Sequence, residues 1–297
     1  MLTFEPHYQP ALWGGSKLRD LFGRKPPEGP IGEAWELVEL PKQHVAVAHG
    51  PHKGRKLGDL WREGVLGGEA KGPFPFLLKW IDAAQSLSVQ VHPDEAACAR
   101  MGRGQPKTEA WYVAEKSPNT HLIIGHKEGL TPAILTQAAK DNSLDQWLYK
   151  VPAEVADMYL LRAGQIHAIG AGLLLLEVQQ PSDTTYRIYD FGRRGADGKL
   201  RELHLEDAAA CVSYDLPGPG VAQHDAVVGP CFSMRKLNQG ETISPEALRV
   251  FVADLGPAVL GTARGEVTMA HGDVRVAEVA DGPISLKSGH VMLVGVA

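Results

Sequence analysis

The run SLSVQVHPDEA (Ser86–Ala96) decides how the chain is read. Leu87, Val89 and Val91 alternate with Ser88, Gln90 and His92, the period of two that sets successive side chains on opposite faces of a β-strand. Gln90 and His92 therefore point into the same space before Pro93 turns the chain. Imidazole is the commonest metal ligand, and an amide carbonyl oxygen serves as a neutral one. Taken alone, the pair also reads as hydrogen-bonded polar groups at a strand end.

Working outward, FLLKWIDAAQSLSVQVH (Phe76–His92) predicts two strands about a short turn, and TEAWYVAE (Thr108–Glu115) with HLIIGHK (His121–Lys127) a further strand pair. AWELVELP (Ala34–Pro41) reads as a strand, and LGDLWREGVLGG (Leu57–Gly68) as a helix stopped by glycines. Thr131–Tyr149 has helical spacing, with Thr131 as a cap before Pro132. Strand signals resume over Val155–Arg193 with turn residues every few positions, as in sandwiches and barrels. A Pro/Gly-rich linker at Pro217–Gly220 separates a first domain, 1–216, from a second, 221–297, of the same short-strand character. LRAGQIHAIGAG (Leu161–Gly172) and LKSGHVMLVGVA (Leu286–Ala297) look like weak copies of one unit. The expectation is a mainly β protein built from a repeated barrel module, with a helical insert in the first copy.

Composition narrows the function classes. The chain has 297 residues, net charge -5 and 30 scattered basic residues, without the basic stripe that phosphate-backbone binding requires. Nucleic acid is therefore not expected as a partner. AGLLLLEVQQ (Ala171–Gln180), the longest apolar run, falls short of a membrane span, and the first residues do not read as a signal peptide. Cys98, Cys211 and Cys231 are odd in number and far apart, as expected of reduced thiols in a cytoplasmic protein. Oligomeric state has no signature here.

Three further pieces carry chemistry. GQPKTEAWYV (Gly104–Val113) puts Lys107 and Glu109 two apart on an apparent strand, and GQIHAIGAG (Gly164–Gly172) sets His167 among apolar residues and glycines. Two His, one Glu and one Gln on neighbouring strands would form a mixed nitrogen–oxygen site with an open position, suited to Zn, Mn, Co or Fe. Glu177, Asp183 and Arg187 follow within EVQQPSDTTYR (Glu177–Arg187). Either these are surface ion pairs, or with Lys79 and Lys107 they form a polar floor for an anionic substrate.

In this order, SVQVHPDEA, PKTEAWYV, GQIHAIGAG and QPSDTTYRIYDFGR resemble the type I phosphomannose isomerases, the short bacterial branch above all. ALWGGSKL (Ala11–Leu18) and PIGEAWELVE (Pro30–Glu39) match as well; the likeness runs from Trp13 to Arg194 and loosens beyond Gly220. The resemblance implies two cupin-like (jelly-roll) β-barrels with the helical insert in the first, and one Zn2+ per chain held by Gln90, His92, Glu109 and His167. It implies a lining of Lys79, Lys107, Glu177, Asp183 and Arg187, with Trp13 and Glu33 in matching N-terminal motifs. The activity implied is interconversion of mannose 6-phosphate and fructose 6-phosphate through a cis-enediol. Glu177 is favoured as base over Asp183 or a metal-bound water, because its strand is apolar; Arg187 is expected to steady the developing oxyanion. Lys79 and Lys107 are candidates for the phosphate. An Fe(II)-dependent cupin oxygenase and a non-catalytic sugar-phosphate-binding regulator are the competing readings.

Overall fold

The computed structural model describes residues 1–68, 70, 72–195 and 198–297. In chain order the first thirteen strands are β1 (His7–Gly15), β2 (Ile31–Leu37), β3 (Glu39–Leu40), β4 (Gln43–His44), β5 (Leu77–Ala83), β6 (Val89–Val91), β7 (Glu109–Lys116), β8 (His121–His126), β9 (Leu148–Pro152), β10 (Met158–Leu161), β11 (His167–Ile169), β12 (Leu173–Gln179) and β13 (Tyr186–Tyr189). The helices are α1 (Lys17–Asp20), α2 (Leu57–Arg62), α3 (Glu95–Met101), α4 (Pro132–Lys140) and α5 (Leu205–Cys211). Nine more strands follow between Ala226 and Gly295. The chain is mainly β, as expected.

Four of the five sheets among the described residues stack in layers, and the fifth is the β3-β4 pair. A six-stranded sheet, β1-β2-β5-β12-β7-β10, faces a five-stranded sheet, β13-β6-β11-β8-β9. Ile81, Trp111, Leu173 and Leu175 of the former pack against Leu122, Ile124 and Ile169 of the latter. The outer face of the six-stranded sheet (Leu78, Trp80, Tyr112, Leu176) packs in one continuous core against Met234, Val250 and Met292 of the C-terminal strands. Those C-terminal strands form two further sheets that close their own core around Phe251, Leu260 and Ile284. The two repeat-like phrases occupy matching places: each runs from one sheet of its unit to the other through a glycine with positive φ, Gly164 or Gly289, a conformation glycine adopts at little cost.

The Ser86–Ala96 run explains its own alternation. Val89 and Val91 face outward, where they pack with Ala97 of α3, Leu135 of α4 and Ala208 of α5. Shielding a valine there contributes about 1.5–3 kcal/mol, which leaves the inner face free to carry Gln90 and His92. Leu87 departs from the expected period: the strand begins at Val89, and Leu87 packs in the inner core. Pro93 and Asp94 leave the strand, and the Asp94 carboxylate accepts from Ala97 N at 2.6 Å, capping α3. The insert between β8 and β9 holds α4, capped by Thr131 with Pro132 in its first turn, and a short 3-10 turn over Leu144–Trp147.

One expectation of strand pairing needs correction. TEAWYVAE and HLIIGHK are consecutive strands but do not pair with each other: β7 lies between β12 and β10, β8 between β11 and β9, in opposite sheets. The Pro217–Gly220 segment is also pinned down, with Gly218 N on His126 O at 2.9 Å and Gly220 N on Ile124 O at 3.2 Å. Leu2 bridges to Val276, so the chain's first residues lie against the C-terminal strands. No helix among the described residues is long and apolar enough to cross a membrane.

Candidate metal centre and active-site cavity

The two facing sheets are apolar between their inner faces at one end and polar at the other. Along β12, Leu173 and Leu175 belong to the inner core, and the next two inward side chains are Glu177 and Gln179. Strand register then fixes the neighbours. Glu177 lies opposite Lys79 of β5 and Trp111 of β7, Gln179 opposite Glu109, and Gln90 between His167 and Arg187. Of these, Lys79, Gln90, Glu109, Glu177, Gln179 and Arg187 line a cavity of about 280 Å³ whose wall includes Trp13, Leu87 and Ile169.

Three groups converge beside it, Glu109 being the one that lines it. His92 Nε2 lies 3.1 Å from Glu109 Oε1, His167 Nε2 3.5 Å from Glu109 Oε2, and the two Nε2 atoms 3.2 Å apart. Each ring's Nδ1 donates to a backbone carbonyl, His92 to Thr184 O at 2.8 Å and His167 to Gln165 O at 2.9 Å. That fixes the tautomer and turns an Nε2 lone pair inward on both rings. Burial keeps both rings neutral, lowering His167 and, with help from the Lys107 charge, bringing His92 to about 3. Burial pushes the Glu109 carboxyl up, but the Lys107 ammonium outweighs it and holds the group well below the usual range.

Two lone pairs and a carboxylate oxygen, Glu109 Oε2, that accepts no hydrogen bond repel one another at these distances. A cation among them removes the conflict, so the donor set fits a metal ion. Gln90 stands beside it, Nε2 3.3 Å from His167 Nε2 and Oε1 3.5 Å from Ser88 Oγ. Turning the amide over exchanges its oxygen and nitrogen positions and presents a fourth donor.

Beside the trio lies a buried ion-pair set. Lys107 Nζ is 2.8 Å from Glu109 Oε1; Lys79 Nζ is 2.9 Å from Glu177 Oε1 and 3.4 Å from Glu33 Oε2. Burial lowers the Lys79 ammonium's tendency to hold its proton, but Glu177 and Glu33 more than reverse this, so it stays charged. Glu177 Oε2 accepts from Trp111 Nε1 at 2.6 Å, and the Trp111 ring meets His167 edge-on with centroids 5.5 Å apart. Burial, reinforced by the Glu109 charge, lifts the Glu177 carboxyl to about 7. Two lysines face three carboxylates here, one negative charge in excess, which a bound cation offsets.

The remaining sequence candidates sit farther out. Asp183 is exposed, lining both the cavity and an adjoining surface groove. Arg187 donates to Glu202 O at 2.9 Å, while its Nε is buried without a partner. Burial, followed by the charge of Arg201, lowers its pKa. Arg201, unnoticed in the sequence, lines the same cavity and shares Asp190 with Arg193. The basic residues that follow YDFG were its only signal. Trp111 and Gln179 were also missed, because an aromatic and an amide on apolar strands read as core.

Residues 1–131 match a family model described as the phosphomannose isomerase type I catalytic domain. The chain is 38% identical over 230 residues to mannose-6-phosphate isomerase ManA of Bacillus subtilis, covering 76% of this chain and 72% of that one. It is 38% identical over 208 residues to a mannose-6-phosphate isomerase of Streptococcus mutans, covering 69% of this chain and 66% of that one. The crystal structure of a mannose 6-phosphate isomerase from Bacillus subtilis superposes with a TM-score of 0.88 at 28% identity, over 99% of this chain and 98% of that one. A Salmonella typhimurium phosphomannose isomerase variant shares the fold at 17% identity, with a TM-score of 0.76 over 100% of this chain and 99% of that one.

Proposed function

The chain belongs to the type I mannose-6-phosphate isomerase family, and on that premise we propose that its cavity takes open-chain mannose 6-phosphate, moves one proton between C2 and C1 through a cis-enediol, and uses one divalent ion, zinc, held by Gln90, His92, Glu109 and His167. The observation that carries this reading is that a buried, proton-accepting Glu177 lines the same cavity as Glu109, the carboxylate of the His–Glu–His trio.

When bound, the ion supplies Lewis acidity toward the sugar's carbonyl oxygen. The protein supplies the proton chemistry. The Glu177 carboxylate takes the proton from C2, the C–H electron pair forms the C1–C2 double bond, and negative charge builds on O1. The hydroxyl proton moves from O2 to O1, and Glu177 returns its proton to C1, leaving the ketone at C2. A base of pKa about 7 is matched to working pH. Lys79 holds Glu177 in place and offers a donor for the developing charge.

The sequence expectation that Lys79 and Lys107 take the phosphate fits the geometry poorly, because both are buried and committed to carboxylates. Arg187 and Arg201, which line the same cavity and repel one another, suit an anion better. On this assignment Arg187→Ala lowers kcat/KM roughly 10²-fold, on the order of a lost charge-assisted contact, with metal content unchanged.

Trp111 connects the trio to the base. Trp111→Phe keeps the ring but removes the N–H that stabilises ionised Glu177, so the Glu177 pKa rises. The expected result is kcat lower by about tenfold, with the acid limb of the pH–rate profile displaced to higher pH and KM little changed.

The reading is tested by a coupled assay of fructose 6-phosphate formation, with and without a chelator. Turnover that falls on chelation and returns with zinc supports it; turnover that persists in metal-free protein removes the ion from the reaction.

A further inference from the structure

The inner face of β12 carries one more polar side chain, which the proton transfer does not use. Gln179 is 1% exposed, two residues beyond Glu177, and lines the cavity on the side where the chain runs on to Ser182 and Asp183 at the mouth. Its Nε2 donates to two backbone carbonyls, Gln180 O at 2.9 Å and Ser182 O at 2.5 Å. Carbonyl oxygens only accept, so the amide has one orientation: nitrogen toward the turn, Oε1 away from it. No group among the described residues donates to Oε1. Unlike the sealed oxygens Asp82 Oδ1 and Asp254 Oδ1, which are also without a donor, Oε1 is not closed off from the cavity.

A fixed acceptor lacking a donor, in a wall that also carries the paired charges of Lys79, Lys107, Glu109 and Glu177, favours a neutral O–H over an anion or an apolar group. Glu109 and Glu177 beside it reinforce that choice, because both repel a second acceptor. Gln179 follows Glu177 on the same face of β12 and shares the cavity with Arg187 and Arg201, so a sugar with its reacting carbons at Glu177 and its phosphate at the arginines lies within the same walls as this side chain. We propose that Gln179 is a specificity-determining residue that accepts a hydrogen bond from the C3 or C4 hydroxyl of the open-chain sugar, an inference that rests on the substrate placement given above. The orientation of Gln179 is made by the turn it closes, so the same amide shapes the mouth and reads the sugar.

The test is a cycle in which substrate and protein are both changed. Wild-type protein is assayed on mannose 6-phosphate and on its 3-deoxy and 4-deoxy analogues, then Gln179→Met on all three. One analogue should lose between tenfold and a hundredfold in kcat/KM with the wild type. Gln179→Met should lose a similar factor on mannose 6-phosphate but little further on that same analogue. Two results overturn the proposal. One is a wild type that handles both analogues as well as the parent sugar, a measurement that does not depend on the variant folding. The other is a Gln179→Met loss of equal size on all three substrates, the mark of a residue that only closes the turn. Failure of the wild type on mannose 6-phosphate itself would instead strike the substrate assignment beneath it.

Discussion

Glu177→Gln is expected to lower kcat about 10³-fold while leaving KM within a few-fold and metal content unchanged. The substitution keeps the shape of the side chain and an oxygen to accept from Trp111 Nε1, but it removes the feature the proton transfer needs, a site that takes and returns a proton. General acid–base catalysis contributes typically 10²–10⁴-fold, and a base that acts at two carbons in one turnover belongs in the upper part of that range. Lys79 loses its 2.9 Å partner and retains Glu33 at 3.4 Å, so some loss of stability accompanies the loss of rate. Solvent-exchange measurements separate the two effects: a folded Glu177→Gln protein that no longer washes deuterium into the sugar has lost proton transfer. Activity within tenfold of wild type would move the base elsewhere, to Asp183 or to solvent.

His167→Ala is the second large effect. His167 supplies one of the two inward lone pairs and packs edge-on against Trp111, so removing it opens the donor set and loosens the base's support together. Metal content should fall from about one ion per chain to near zero, and turnover by at least about 10³-fold. A readout independent of activity is the melting temperature. Wild-type protein should be stabilised by added zinc through mass action, by about 2.7 kcal/mol at a hundred times Kd, and the variant should show little response. A variant that retains its ion and its zinc-dependent stabilisation would remove His167 from the ligand set.

Much of the fold was legible because a strand's period of two shows which side chains share a face. It does not show which strand lies alongside. TEAWYVAE and HLIIGHK each read correctly as strands, yet their places in opposite sheets follow from packing between distant segments, to which local pattern is blind. Gln90 and His92 were visible because polar groups broke the apolar run; that they face inward while the valines face outward depends on α3, α4 and α5 covering the far side. The site residues missing from the sequence reading share a cause. Arg201 enters the cavity from a loop fourteen positions after Arg187, with its course set by Asp190 and Arg193. Trp111 and Gln179 act through single polar atoms on otherwise ordinary strand residues, and the partners of those atoms exist only in the assembled sheet. Asp94, the carboxylate that ends the opening run, caps α3 and takes no part in the cavity.

Anomalous diffraction from crystals of the purified protein, collected above and below the zinc edge, bears most directly on the convergence of Gln90, His92, Glu109 and His167. The account predicts one strong peak per chain, about 2.0–2.2 Å from His92 Nε2, His167 Nε2 and a Glu109 oxygen, with the Gln90 amide oxygen turned toward it. An active protein whose crystals show no peak among these four side chains, or show the ion bound somewhere else, would contradict it.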